Sequence, residues 1–270
     1  MMINHSARRA SPVTSPSLGI MDWGIGGLGF YRLLKEERRD VPVTYWSDSG
    51  MTPYGKLPAA QLAARVRTVA TALAARGVTH LVVACNAAST ALPAVLRDGA
   101  ATSATLPLMT GVIEHGIRAA RRMRARRIGV VGGRRTILSG AYRRGLSGDG
   151  RIIRQRIAQP LSARIEAGDT SSPALARELQ RIMRPLRNVE ALILACTHYP
   201  AIAPQFQALA PAARLIDPVE ALLSWIESHW ELPRGKQPDI FLTTGEPDAM
   251  RIAAHNAFEV RLTGIIRVSL

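Results

Sequence analysis

The chain lacks the features that mark secreted, membrane-spanning or disulfide-stabilised proteins. Only two of its 270 residues are cysteines, and no uninterrupted apolar run comes near the roughly 18 residues that a membrane-spanning helix needs. Residues 1–18 also lack the apolar segment of a signal peptide. We therefore expect a cytoplasmic protein that has no membrane partner.

Acidic residues are scarce relative to basic ones, with 20 Asp and Glu against 35 Lys and Arg. The resulting formal net charge of +15 would attract nucleic acid. However, 32 of the basic residues are arginines, which is typical of a GC-rich coding bias, and the densest cluster, at 121–127, has no interleaved aromatic residues. We therefore do not expect a nucleic-acid partner.

The composition is that of an ordinary globular protein, 47% hydrophobic and 20% charged, with short apolar runs that alternate with amphipathic segments. This alternation predicts an α/β protein in which helices cover both faces of a parallel sheet. Gly77 is predicted to end a long helix. Residues 1–18, which are polar and rich in Pro and Ser, are predicted to be a disordered extension. The predicted strands are 17–23, 41–48, 80–85, 106–113, 127–133, 151–157, 190–196, 239–245 and 264–270.

Two pairs of segments repeat at nearly the same spacing. LVVACNAAS (81–89) is similar to LILACTHYP (192–200), and LGIMDWG (18–24) is similar to IGVVGGR (128–134), with offsets of 111 and 110 residues. A consistent offset predicts a duplicated α/β unit and hence two similar parallel-sheet domains related by pseudo-twofold symmetry. Functional groups in such sheets lie at the carboxyl ends of strands, so we expect the active site in the cleft between the domains.

Each repeat places one cysteine, Cys85 or Cys196, between a predicted strand and a predicted helix. Inverting a carbon centre without a cofactor needs a base on one face and an acid on the other, and a thiol can serve as either. Because a helix N-terminus favours the thiolate, we expect at least one of the two thiols to have a lowered pKa. The residues after each cysteine, Asn86 in one repeat and Thr197 and His198 in the other, could hold a substrate carboxylate together with backbone N–H groups.

Six motifs carry a resemblance to a known family. In chain order they are DWGIGGLG (22–29), SDSGMTPYG (47–55), VVACNAAS (82–89), GVIEHG (111–116), IGVVGGRRTILSGAY (128–142) and LACTHYP (194–200). Together they resemble the glutamate racemases of the aspartate/glutamate racemase family, and the match runs from about Gly19 to the C-terminus.

The resemblance implies an isomerase that acts on an amino acid without cofactor or metal and that serves amino-acid metabolism and peptidoglycan biosynthesis. It also implies that a C-terminal segment returns to complete the first domain, which gives domains of 19–112 plus 218–270 and of 113–217. A homodimer is one assembly that the sequence allows. Carried over by motif, the paired acid and base are Cys85 and Cys196, the residues that assist them are Asp22 and His198, and the substrate contacts are Trp23, Tyr54, Gly55, Asn86, Ala87 and Thr197.

The sequence departs from the family pattern at two positions that the resemblance assigns to substrate contact, Trp23 and Ala87, and at a third, Gly133. Trp23 stands where the family usually has Ser, and Ala87 and Gly133 stand where it usually has Thr. Each departure removes a hydroxyl, and a missing hydrogen-bond partner can change substrate discrimination by orders of magnitude. Two alternatives stay open: a substrate other than glutamate, or glutamate bound by an unusual lining.

A dinucleotide-binding oxidoreductase is the main rival to the racemase. Gly24, Gly26 and Gly29 satisfy G-x-G-x-x-G between a predicted strand and helix, and Asp48 follows at the end of the next strand. This hypothesis explains neither cysteine nor the duplication. A racemase-like protein without turnover is a third alternative, whereas the chain has no CxxC or HExxH signature for zinc.

Overall fold

The computed structural model describes residues 16–99 and 106–270, which form an α/β fold built on two parallel sheets. The first sheet has the strand order β10-β9-β2-β1-β3-β4, and the second has the order β6-β5-β7-β8. Every strand pair in both sheets is parallel. The strands are β1 (Leu18–Asp22), β2 (Val43–Ser47), β3 (His80–Val83), β4 (Leu108–Gly111), β5 (Arg127–Gly132), β6 (Ile152–Ile157), β7 (Ala191–Ala195), β8 (Arg214–Ile216), β9 (Ile240–Thr243) and β10 (Ile266–Arg267).

Helices follow most of the strands and cover both faces of each sheet. They are α1 (Leu28–Glu37), α2 (Ala59–Ala74), α3 (Asn86–Ser89), α4 (Leu92–Gly99), α5 (Val112–Arg122), α6 (Arg134–Leu138), α7 (Ala141–Leu146), α8 (Gln159–Glu166), α9 (Pro173–Met183), α10 (Ala203–Leu209), α11 (Pro218–His229) and α12 (Pro247–Phe258). Short 3-10 turns lie at Tyr54–Lys56, Arg184–Leu186 and Tyr199–Ile202.

The central strands form because their sequences are apolar on both faces. All five residues of β1 and all five of β7 are buried, as expected for parallel strands covered by helices on each side. Separate hydrophobic clusters pack against the two faces of the first sheet, and two more pack against the second. The predicted parallel-sheet α/β class is confirmed.

The duplication is visible in the strand order. Four consecutive strands in each half have the same neighbours, because the order β2-β1-β3-β4 in the first sheet corresponds to β6-β5-β7-β8 in the second. The two repeated sequence segments fall on corresponding strands, one pair on β1 and β5 and the other on β3 and β7. Each half therefore places equivalent loops at the carboxyl edge of its sheet.

The chain passes between the two sheets at α5 and at α11. Helix α5 leads from β4 to β5, α11 leads from β8 back to β9, and the two helices pack against each other. The proposed division into residues 19–112 plus 218–270 and residues 113–217 falls at the beginnings of these two helices. We keep these bounds as a proposal for the domains.

The structure differs from the sequence predictions at two places. The predicted extension, 1–18, overlaps the predicted strand 17–23, and at Leu18 the strand is correct. Leu18 is a fully buried residue of β1 that pairs with Val43 and His80, while residues 1–15 lie outside the described part of the chain. Strand β8 was not predicted, because its three residues are too few to show a periodic pattern. The predicted helix stop at Gly77 is confirmed by a φ of +86°. No helix in residues 16–99 or 106–270 is long and apolar enough to cross a membrane.

Candidate active site

A cavity of about 40 Å³ lies between the two sheets, at the carboxyl ends of β1, β3 and β7. All ten residues that the sequence predicted for the site line it. These are Asp22, Trp23, Tyr54, Gly55, Cys85, Asn86, Ala87, Cys196, Thr197 and His198. The cavity is also lined by residues that were not assigned to the site from the sequence. Pro53, Gly133, Thr136 and Ala195 lie within the motifs, whereas Gln159 and Ser162 lie outside them.

Cys85 is the residue before α3 and has only 8% of its surface exposed. Burial raises the pKa of the Cys85 thiol well above its ordinary value, and the charge of Asp22 raises it further, while the backbone N–H of Ala88 opposes both. For this thiol the direction is opposite to the lowering expected at a helix N-terminus. The four-residue helix supplies too little field to outweigh the loss of hydration.

Asp22 ends β1 and is completely buried. Its Oδ2 accepts a hydrogen bond of 2.7 Å from Thr197 Oγ1, which connects the first sheet to the loop after β7 in the second. Its Oδ1 accepts from the backbone N–H of Trp23 at 2.5 Å. Burial raises the pKa of Asp22, against the lowering effects of His198 and Thr197.

Cys196 and His198 form a hydrogen-bonded group with Glu166, a residue that the sequence did not predict. The Sγ atom of Cys196 lies 3.7 Å from Nδ1 of His198, and Nε2 of His198 lies 2.6 Å from Oε2 of Glu166. Burial would lower the pKa of His198, but its hydrogen bonds to Cys196 and Glu166 and the charges of both groups raise it well above its ordinary value. These contacts therefore favour the imidazolium form of His198.

Two glycines of the loop after β1 are needed for this packing. A Cβ atom at Gly24 would lie 2.1 Å from Oε2 of Glu166, and one at Gly26 would lie 2.5 Å from Oγ1 of Thr197 and 2.8 Å from Nδ1 of His198. The backbone thus comes close to protein side chains at these glycines. The space that a pyrophosphate would need above the loop is filled by the site's own groups.

Asp48, the acidic residue of the dinucleotide-binding pattern, already has its carboxylate occupied by protein donors. Asp48 is completely buried, and its carboxylate accepts hydrogen bonds from Arg65 at 2.6 and 2.8 Å, from the Tyr54 hydroxyl at 2.7 Å and from Thr244 at 3.1 Å. The dinucleotide-binding alternative is therefore wrong. The function of Asp48 in the structure is to hold Tyr54 against the cavity.

Asn86 presents an unused hydrogen-bond donor at the cavity. Its Oδ1 accepts a 2.8 Å bond from the hydroxyl of Tyr142, a residue of α7 in the other half. Its Nδ2 is buried and has no hydrogen-bond partner within residues 16–99 and 106–270. Burying a free donor is unfavourable, so this group is suited to a ligand oxygen.

The two substituted positions lie at different parts of the lining. The Trp23 indole N–H donates to the Met51 carbonyl at 2.9 Å, and its ring centroid lies 6.5 Å from that of His198. Trp23 is thus fixed between the loop after β2 and the Cys196 side of the cavity. Ala87 follows Asn86 in α3 and is half-buried.

Metal ligation receives no support from the described side chains. No group of three or more His, Cys, Asp or Glu residues in this part of the chain could hold a metal ion. The polar groups that face the cavity are instead two thiols, one carboxylate, one imidazolium and neutral hydrogen-bonding groups.

Comparison with known proteins identifies the family. The sequence profile of the Asp/Glu/Hydantoin racemase family matches residues 18–225. A glutamate racemase of Thermus thermophilus is 33% identical over 264 residues, which cover 94% of this chain and 96% of that protein. The crystal structure of glutamate racemase from Thermus thermophilus in complex with β-chloro-D-alanine is similar with a TM-score of 0.82 at 30% identity, and the match covers 95% of this chain and 98% of that one.

A glutamate racemase isoform from Bacillus anthracis shares the fold, with a TM-score of 0.84 at 24% identity over 95% of this chain and 98% of that one. The matches cover nearly the full length of both relatives, so they include both sheets. The resemblance seen in the motifs is thereby confirmed. The chain belongs to the Asp/Glu/Hydantoin racemase family and is an isomerase, an amino-acid racemase.

Proposed function

We propose that the protein racemises an amino acid by a two-thiol mechanism, with Cys85 and Cys196 as the acid and base. The observation that carries this proposal is that the two thiols line one cavity from different sheets, and each has its own ionisable neighbour. Cys85 lies beside Asp22, and Cys196 lies beside His198. This arrangement can serve opposite faces of one carbon atom.

The electrostatics favour a protonated Cys85, because burial and the charge of Asp22 raise the pKa of its thiol. We therefore assign the role of the resting thiolate to Cys196, which contacts His198. The Cys196 thiolate takes the proton from Cα, and the Cys85 thiol returns its own proton to the opposite face. The product is the other enantiomer, and the protein is left with a Cys196 thiol and a Cys85 thiolate. The reverse reaction restores the first state.

The neutral donors of the cavity bind the substrate in this mechanism. The free Nδ2 of Asn86 donates to an oxygen of the substrate's α-carboxylate. Thr197 donates its own hydroxyl proton to Asp22, so its contribution is to hold that carboxylate in place. Tyr54 and Gly55 form the wall that follows β2.

Deuterium incorporation tests the reaction without assuming the substrate. The protein is incubated in deuterium oxide with each common L- and D-amino acid, and α-deuteration is read by mass spectrometry. Cys85→Ser and Cys196→Ser should each abolish racemisation, because each removes the group that serves one face. A single variant retains a competent base, so one-sided exchange of one enantiomer is compatible with the mechanism. Racemisation at the wild-type rate in both variants would exclude it.

We propose further that Trp23 and Ala87 alter which amino acid is preferred. The relatives are named glutamate racemases, so glutamate and a contribution of D-glutamate to peptidoglycan form the reference hypothesis. Against it, the indole occupies the space beside His198, and neither side chain supplies a hydroxyl. The double variant Trp23→Ser with Ala87→Thr should raise kcat/KM for glutamate, relative to the best wild-type substrate, by about tenfold or more.

A matched variant at position 23 separates the effect of side-chain volume from that of the indole hydrogen bond. Trp23→Phe keeps an aromatic ring but removes the N–H that donates to Met51. It should leave the substrate ranking close to that of the wild type. If glutamate is the best wild-type substrate and its kcat/KM is unchanged in the double variant, the altered-preference hypothesis fails while the two-thiol mechanism stands.

A further inference from the structure

Gln159, the first residue of α8, extends between the two halves at the cavity. A Cβ atom at Gly55, in the turn after β2, would lie 2.3 Å from its Oε1. A Cβ atom at Gly133, after β5, would lie 3.0 Å from the same oxygen. The side-chain amide therefore occupies a slot that exists because both neighbours lack a side chain.

The hydrogen bonds of Gln159 fix the orientation of its amide. Oε1 accepts from the backbone N–H of Arg134 at 3.0 Å, and since that partner is a donor, the atom there must be the oxygen. Nε2 donates to Oγ of Ser162 at 3.2 Å. Ser162 in turn donates to the backbone carbonyl of Gln159 at 2.8 Å, which uses its hydroxyl proton. An amide nitrogen carries two protons, and Ser162 is the one acceptor that Nε2 has within residues 16–99 and 106–270, so one N–H of this cavity-lining residue has no protein acceptor there.

The Gln159 amide also lies where the family pattern would place a threonine side chain, at position 133. Gly133 replaces a Thr of the family pattern, and the Gln159 carbonyl occupies space into which a side chain at position 133 would project. Among the residues that line the cavity, none is Lys or Arg, and the His198 imidazolium is engaged by Cys196 and Glu166. An acceptor on the substrate's side chain must therefore be matched by a neutral donor.

We infer that Gln159 is a specificity-determining residue, whose free N–H binds the carboxylate or carboxamide oxygen at the end of the substrate's side chain. The favoured substrates are then acidic amino acids and their amides rather than amino acids with apolar side chains. This inference rests on the proposed function, because it assigns the substrate's side chain to the cavity in which the two thiols act. Gly55 and Gly133 allow the amide to reach that position.

The variant Gln159→Glu tests this with minimal change of shape. Its carboxylate still accepts from the Arg134 N–H, but it replaces the free donor with a negative charge. Binding of L-aspartate, L-asparagine, L-glutamate, L-glutamine and L-alanine is measured by titration calorimetry, and α-deuteration is measured in parallel. Affinity for the acidic amino acids should fall by about ten- to a hundredfold, while alanine changes by less than about twofold. Affinity for asparagine and glutamine should fall by less, because the N–H groups of their own side chains can donate to the new carboxylate.

Two further variants make the result decisive. Gln180→Glu adds the same charge at an exposed position of α9 and should leave every affinity unchanged. Gln159→Met keeps the length of the side chain but has no hydrogen-bond donor, so it should weaken the binding of acidic amino acids and of their amides alike. It replaces Gln159→Glu as the test if that variant does not fold. The inference is overturned if alanine binds wild type as tightly as the other four, or if the side-chain preference survives both Gln159 variants. Absence of α-deuteration in a wild-type protein that keeps the preference would instead overturn the proposed reaction.

Discussion

At the scale of single residues, the two thiols differ in the sign of the charge beside them. Cys85 faces the buried carboxylate of Asp22, and Cys196 faces the imidazolium of His198. A negative neighbour favours the protonated thiol and a positive neighbour favours the thiolate. The two thiols therefore have oppositely charged neighbours, as the proposed mechanism requires of one thiol and one thiolate.

Glu166 controls the charge of His198, and Glu166→Gln should reveal this in the pH profile. The amide oxygen can still accept from the Ile25 N–H, so the loop contact is retained while the charge is lost. Because Glu166 raises the pKa of His198, the variant should lose the imidazolium at a lower pH than the wild type. The alkaline limb of kcat/KM should move to lower pH, and kcat/KM at neutral pH should fall by about tenfold or more.

Glu114→Gln is the control for this change, since Glu114 is an exposed acid that pairs with Arg118 on α5. It should leave the pH profile unaltered. An unshifted alkaline limb in Glu166→Gln would show that Glu166 does not set the protonation of His198.

The sequence could predict the site residues that lie within repeated or recognisable motifs, but not Glu166 or Gln159. Cys85 and Cys196 follow strands in equivalent loops, so the carboxyl-edge rule places them together. Glu166 is the last residue of α8 and does not follow a strand. Gln159 is the first residue of α8 and follows β6 closely, but it lies outside the recognisable motifs. Their positions depend on how α8 packs over the loop after β1, which local patterns do not encode.

At the scale of elements, α9 begins at a cap that its sequence explains. Ser172 Oγ accepts from the Leu175 N–H at 3.1 Å and donates to Asp169 at 2.7 Å. Ser172→Ala should lower the free energy of unfolding by about 1 kcal/mol, because it leaves a helix N–H without its partner. Urea denaturation followed by circular dichroism measures the change. Ser171→Ala, at the exposed neighbouring position, should have little effect, and equal losses in the two variants would contradict the capping role.

The sequence predicts helices and strands well where they contain long apolar runs or periodic apolar positions, and poorly where they are short. Strands β1 and β7 are continuous buried runs, and α2 ends near a glycine that adopts a positive φ. Strand β8 has three residues, one of them exposed, and it is fixed by pairing with β7 rather than by its own sequence. Short edge strands are specified by their neighbours, and that information is absent from a local window of sequence.

At the scale of the whole molecule, Asp217 lies where the chain returns from the second sheet to the first. It caps α11 by accepting from the Val219 N–H at 3.0 Å. Burial raises the pKa of Asp217 to about 7, which the bond from Val219 only partly opposes. A raised pKa means that the folded protein binds this proton more tightly than the unfolded chain, so the stability that this carboxyl contributes is fully present below about pH 4 and is lost as the pH rises through about 7.

Asp217→Asn should remove this loss, because Asn is a comparable cap that does not ionise. We expect a Tm about 3 °C or more above wild type at pH 8 and a difference near zero at pH 4, measured by thermal unfolding. Asp248→Asn, an exposed acid in the first turn of α12, should show no such pH dependence. A Tm difference that is constant between the two pH values would contradict the assignment.

The matching strand order of the two halves has a consequence for the chemistry of the cleft. Each half supplies one thiol from an equivalent loop. In a pair of identical chains related by twofold symmetry, both thiols would have identical neighbours. The two halves of one chain are free of that constraint, so an Asp22 side and a His198–Glu166 side can differ within a single cleft.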